Sequence, residues 1–95
     1  MITRIVRLSI REDKEEEFLR YFREREMAIN HFTGCREVRI YRDSIEKAVF
    51  FTVSIWENES ALQQYRNSEL FKETWKFVKS LFKDAPVAYS LQELV

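Results

Sequence analysis

Ala48-Val49-Phe50-Phe51-Thr52-Val53-Ser54-Ile55-Trp56 is an almost unbroken run of β-branched and aromatic residues. Such a run favours a pleated strand, in which successive side chains point to opposite sides. Phe50, Thr52, Ser54 and Trp56 then share one side, and Val49, Phe51, Val53 and Ile55 share the other. Fully burying the second set contributes about 6–12 kcal/mol as an upper bound. A small domain's whole net stability is only about 5–15 kcal/mol. One layer of helices shelters a single face, so a second cover is expected.

Upstream, Cys35 to Arg42 alternates, with Val38 and Ile40 set against Arg39 and Tyr41, and Asp43-Ser44 supplies turn chemistry. Ile2 to Ile10 also alternates, with Ile2, Val6, Leu8 and Ile10 on one side and Thr3, Ile5, Arg7 and Ser9 on the other. Between these strands, from Glu12 to His31, Phe18, Leu19, Phe22 and Ile29 recur at helical spacing. Glu15 to Glu17 precede Arg20, Arg23 and Arg25, the charge order that complements a helix dipole. Gly34 stands where a helix commonly ends in a left-handed residue.

Downstream, Asn58 suits the N-cap of a short helix through Tyr65. Ser68 suits the cap of another, whose stripe is Leu70, Phe71, Trp75, Val78, Leu81 and Phe82. Pro86 opens a last strand through Leu94. The order is β-α-β-β-α-α-β, the split βαβ plan. It predicts an α+β, ferredoxin-like βαββαβ domain with a four-stranded antiparallel sheet and helices on one face. The bare face is expected to meet that of a second copy, giving a homodimer through sheet faces, a dimeric α+β barrel.

The 95 residues form one domain, 1–95, and 45% of them are hydrophobic, too many for a disordered segment. Sixteen basic side chains balance sixteen acidic ones, which predicts no general attraction to nucleic acid or membranes. A single cysteine, Cys35, and the absence of an apolar leader or spanning stretch point to a cytoplasmic protein. His31 and Cys35 are too few for a metal site, so none is expected. His31 suits a helix end, and Cys35 a small buried hydrophobe. Arg4, Arg7, Arg36, Arg39 and Arg42 either pair with acids such as Glu37, line a dimer rim or hold an anionic ligand.

Three stretches carry a resemblance: His31-Phe32-Thr33-Gly34-Cys35, Ser54-Ile55-Trp56-Glu57-Asn58-Glu59-Ser60-Ala61-Leu62 and Ser68-Glu69-Leu70-Phe71-Lys72. With them the chain resembles the antibiotic biosynthesis monooxygenase family of the dimeric α+β barrel superfamily over almost its whole length. The resemblance implies oxidation of a small phenolic, quinol or polyketide-like aromatic by dioxygen, with no cofactor. The alternative within the superfamily is a non-catalytic dimer binding a small ligand, or an isomerase.

In the polyketide-oxidising branch a tryptophan matching Trp56 lines the pocket, where its indole N–H can donate to a substrate oxygen. Two further contacts of that branch, an asparagine and a tyrosine, fall on Thr52 and Leu62 here. The asparagine, tryptophan and histidine of the haem-degrading branch fall on Val6, Tyr65 and Trp75, which argues against haem. The resemblance thus implies Trp56 and Tyr65 as catalytic candidates and Thr52, Ser54, Trp75 and Val6 as substrate-binding ones. Tyr65 and Trp75 also fit the core faces of amphipathic helices, and strand hydroxyls such as Thr52 and Ser54 often satisfy local needs.

RNA-binding domains share the βαββαβ order, and Lys47-Ala48-Val49-Phe50-Phe51-Thr52-Val53 superficially resembles their stacking strand. The glycines are missing, Val49 replaces a stacking ring and the net charge is zero, which argues against that role.

Overall fold

A computed structural model describes residues 1–95. Strand β1 (Ile2–Ser9) leads through a 3-10 turn (Glu12–Lys14) into helix α1 (Glu15–Asn30). Strands β2 (Cys35–Arg42) and β3 (Val49–Trp56) follow, then helices α2 (Glu59–Arg66) and α3 (Glu69–Lys79), and last strand β4 (Val87–Gln92). The sheet order is β2-β3-β1-β4, with every neighbouring pair antiparallel. This is the ferredoxin-like α+β arrangement expected from the sequence.

The register carries the β3 alternation across the sheet. Val6 pairs with Thr52 and Ala88, and Arg4 with Ser54 and Ser90, on the side facing the helices. Ile5 pairs with Val53 and Tyr89 on the opposite side. At the start of β2 a bulge places Cys35 opposite Trp56 and Glu37 opposite Ile55, leaving Arg36 as the extra residue.

Helices and sheet meet in three apolar clusters. Leu8, Ile10, Phe18, Phe50, Val78 and Leu81 join β1 and β3 to α1 and the end of α3. Phe18 and Phe50 pack with ring centroids 4.9 Å apart. Phe22, Ile29 and Val38 join α1 to β2. Ile2, Trp56, Ala61 and Leu62 seat α2 on the ends of β1 and β3.

Local chemistry sets the junctions. Asn58 Oδ1 accepts the Ala61 N–H at 2.8 Å, and Ser68 Oγ accepts the Phe71 N–H at 3.1 Å. Each hydroxyl or amide cap satisfies one of the orphan donors that begin a helix. Gly34 has φ +86°, and its carbonyl accepts the Glu57 N–H at 2.9 Å, tying the α1–β2 turn to the end of β3.

The boundaries differ from the sequence reading in places where packing overrides periodicity. Glu12 to Lys14 tighten into a 3-10 turn before α1 begins, and the basic residues of α1 stop short of its last turn. Helix α3 ends at Lys79, yet its stripe continues: Leu81 is buried, and Phe82 bridges to Ile10. Strand β4 ends at Gln92 because its partner Ile2 is where β1 begins.

The second side of the sheet carries Ile5, Phe51, Val53 and Ile55 at its centre, each partly buried. Around them Tyr41 (51% exposed), Val87, Tyr89 (57%) and Leu91 lie open. No helix covers these side chains. Three of the five strand arginines pair with acids: Arg39 with Glu37 at 3.0 Å, Arg42 with Glu15 at 3.2 Å and Arg36 with Glu57 at 3.5 Å. No helix of the chain is long and apolar enough to cross a membrane.

Candidate functional site

The three clusters do not close on one another. Between them lies a cavity of about 260 Å³, with its floor on the sheet and its roof on the helices. Thr52 and Ser54 enter it from β3, Arg4 and Val6 from β1, Tyr65 and Arg66 from α2, and Phe71 and Trp75 from α3. Most of the lining is apolar, with a few polar groups converging on it, the usual make-up of a small-molecule site.

The polar groups have distinct partners. Trp56 is fully buried and does not line the cavity. Its Nε1–H donates to Ser54 Oγ at 2.9 Å. The indole proton that was expected to meet a substrate oxygen is therefore already committed. Because Ser54 Oγ accepts that bond, its own O–H remains free to donate into the cavity. Thr74, also in the lining, donates its hydroxyl to the Leu70 carbonyl at 2.7 Å.

Tyr65 stacks on Trp56, with ring centroids 4.8 Å apart and planes 25° from parallel. Phe32 and Phe71 pack edge-on against it at 5.4 and 5.2 Å. Enclosed by these rings, the phenol is held well above its ordinary pKa, chiefly by burial and secondarily by the Cys35 thiol. It is a neutral donor at any physiological pH and not a base. Trp75 extends the aromatic wall, stacked on Phe71 at 5.9 Å.

This burial links the site to stability. Up to the ordinary value of 10.0, folded and unfolded chains both keep the Tyr65 proton and no stability is lost. Above it the unfolded chain releases a proton that the folded chain retains, so this contribution falls as pH rises. The expected slope is about 1.4 kcal/mol per pH unit. Urea denaturation between pH 9 and 11 should show the decline, and Tyr65→Phe should reduce it to the smaller part that the buried Cys35 thiol contributes.

Of the residues singled out from the sequence, Val6, Thr52, Ser54, Tyr65 and Trp75 meet around one cavity, while Trp56 stands behind Ser54. Burial pushes the Cys35 thiol up, its weak bond to the Glu37 carbonyl only partly opposing this, so the thiolate is disfavoured. His31 caps the end of α1. No group of three or more His, Cys, Asp or Glu side chains is arranged so that it could hold a metal ion.

Sequence reasoning missed Arg4 and Arg66 as a pair. Arg66 reads as an ordinary solvated helix residue. Arg4 left a signal, since it occupies the inward parity of β1 between Ile2 and Val6.

The family model for antibiotic biosynthesis monooxygenase matches residues 1–76. No curated protein matches the sequence. Among solved structures, an antibiotic biosynthesis monooxygenase superposes with a TM-score of 0.93 at 15% identity, over 100% of both chains. A conserved protein of Methanosarcina mazei Go1 gives 0.92 at 17% identity, over 99% of this chain and 94% of that one. Rv0793 of Mycobacterium tuberculosis gives 0.90 at 17%, over 99% and 95%. At such identities these likenesses speak for the fold.

Proposed function

The chain belongs to the antibiotic biosynthesis monooxygenase family, and on that premise we propose that it is a cofactor-independent monooxygenase acting on a small phenol or quinol in the cavity beneath α2 and α3. The observation that carries this reading is the pairing of an aromatic-walled cavity with two hydroxyl donors, Ser54 and Tyr65. At about 260 Å³ the cavity lies just below the roughly 300–1,000 Å³ usual for drug-sized ligands. That size favours one or two fused rings over larger polyketides.

In this reading the substrate lies flat against Phe71 and Trp75, with its oxygen toward Ser54 and Tyr65. The substrate proton leaves to water, and the two hydroxyls donate to the resulting phenolate. The phenolate gives one electron to dioxygen, and the phenoxyl radical and superoxide join through a new C–O bond on the ring. Loss of the ring proton then breaks the O–O bond, and the departing oxygen takes up that proton and the one first released to water, leaving a quinone and one water. One oxygen atom enters the product and the other departs as water. Tyr65 is suited to hydrogen-bond the departing oxygen, because it keeps its proton throughout. Trp56 acts through Ser54, holding that hydroxyl with its oxygen lone pair occupied and its proton free. Val6 and Thr52 form the floor.

Oxygen uptake with naphthols and hydroquinones tests the reading. One dioxygen should be consumed per quinone formed. Tyr65→Phe should lower kcat by about 100-fold, within the range for loss of one hydrogen-bond donor aimed at developing negative charge. Ser54→Ala should lower it by about tenfold, the low end of the roughly 1.5–3 kcal/mol that a hydrogen bond to a charged oxygen contributes. Tight binding without uptake would instead favour a non-catalytic ligand-binding protein.

The uncovered side of the sheet supports a second part of the proposal, a homodimer formed through the faces bearing Phe51, Val53 and Tyr89. An identical twisted, apolar sheet is complementary to it in both shape and chemistry. The lone thiol supports a reducing, cytoplasmic setting.

A further inference from the structure

We propose that the cavity selects aromatic ligands bearing a carboxylate, which Arg4 and Arg66 grip together beside the Ser54 and Tyr65 hydroxyls. This deepens the reading of the cavity as a ligand site and rests on it. Both arginines belong to the lining, and no aspartate or glutamate does. Neither takes part in a salt bridge, whereas Arg36, Arg39 and Arg42 all do. Arg4 is held from one side only, its Nη1 donating to Ser90 Oγ at 2.9 Å. A guanidinium has five N–H donors in a planar fork, so ample capacity remains for a bidentate carboxylate.

The two charges also sense each other. Arg4 is held below its ordinary pKa first by burial and then by the positive charge of Arg66. A partly buried cation with a like charge nearby and no counter-ion is unfavourable by itself. An anion entering between them relieves both costs. Arg66 sits in the last turn of α2, where a cation also suits the helix dipole. No such purpose accounts for Arg4, which lies on a central strand among Ile2, Val6 and Leu8. A charge at an inward position of a core strand is uncommon unless something pairs with it. Thr52 and Ser54 add donors on the same floor, so the cavity presents cations and hydroxyls to a ligand and no anion.

Anaerobic titration followed by the combined fluorescence of Trp56 and Trp75, with 1-hydroxy-2-naphthoate and 1-naphthol as probes, tests this. The probes differ only in the carboxylate, and the absence of oxygen keeps either from being consumed. The carboxylate should bind about tenfold more tightly at low salt, as one or two charge-assisted hydrogen bonds imply. The ratio should shrink in Arg66→Gln, at an exposed position, and approach one in Arg4→Gln/Arg66→Gln. Equal binding by the intact chain, or a preference that survives the double substitution, would overturn the proposal while leaving the aromatic site standing. Failure of both probes to bind would remove the site itself.

Discussion

Replacing Gly34 with alanine should lower the thermal midpoint of unfolding by about 8–40 °C. Two effects add. At φ +86° any L side chain is strained, by about 1–2 kcal/mol. The new Cβ would also collide with the Ala61 Cβ, and the α2 backbone behind that atom has little freedom to retreat. Overpacking of this kind costs about 1–3 kcal/mol. For a domain of this length each kcal/mol moves the midpoint by about 4–8 °C. Ala61→Gly in the same chain should recover the collision and leave the backbone strain, giving a favourable coupling of about 1–3 kcal/mol in a double-mutant cycle. Additive effects would place the cost wholly in the backbone. The position also matters for chemistry, since α2 carries both Tyr65 and Arg66, and a displaced α2 moves them off the cavity.

Val53→Lys should convert a particle of twice the 11.6 kDa chain mass into one of 11.6 kDa, still folded, by sedimentation at micromolar concentration. Val53 lies near the centre of the uncovered face, between Ile5 on β1 and Arg39 on β2. In a single chain a lysine there can reach water along its own stem. In a face-to-face pair, symmetry brings two such charges into one apolar layer, next to two copies of Arg39. An uncompensated buried charge costs about 3 kcal/mol or more, over a hundredfold in the association constant. An unchanged mass would mean that the copies associate elsewhere. Because the cavity lies on the other side of the sheet, loss of the pair should leave aromatic binding in place.

How much of this was readable from the sequence depends on the range of the interactions involved. The alternation of β3 was legible because a two-residue period is local, and it correctly separated Phe50, Thr52, Ser54 and Trp56 from Val53 and its neighbours. The caps at Asn58 and Ser68 and the left-handed Gly34 were legible for the same reason, each being decided within a few residues. The cavity was legible only in outline. That Val6, Thr52, Tyr65 and Trp75 surround one space depends on how α2 and α3 lie over the sheet, which no local pattern encodes. The place of Trp56 was misjudged because strand parity gives a side and not a depth. Its indole points among Phe32, Ala61 and Tyr65, and spends its N–H on Ser54. The end of α3 was misplaced because Leu81 and Phe82 keep helical spacing while leaving the helix, both still packed on the core.

The most direct test is a map of amide and side-chain chemical shifts during anaerobic titration with 1-naphthol. Saturable changes are expected at Ser54, Tyr65 and Trp75, with Val53 and Tyr89 on the far side of the sheet unmoved. Changes confined to Val53, Tyr89 and their neighbours, with Tyr65 and Trp75 silent, would show that the aromatic ligand does not enter the space between helices and sheet.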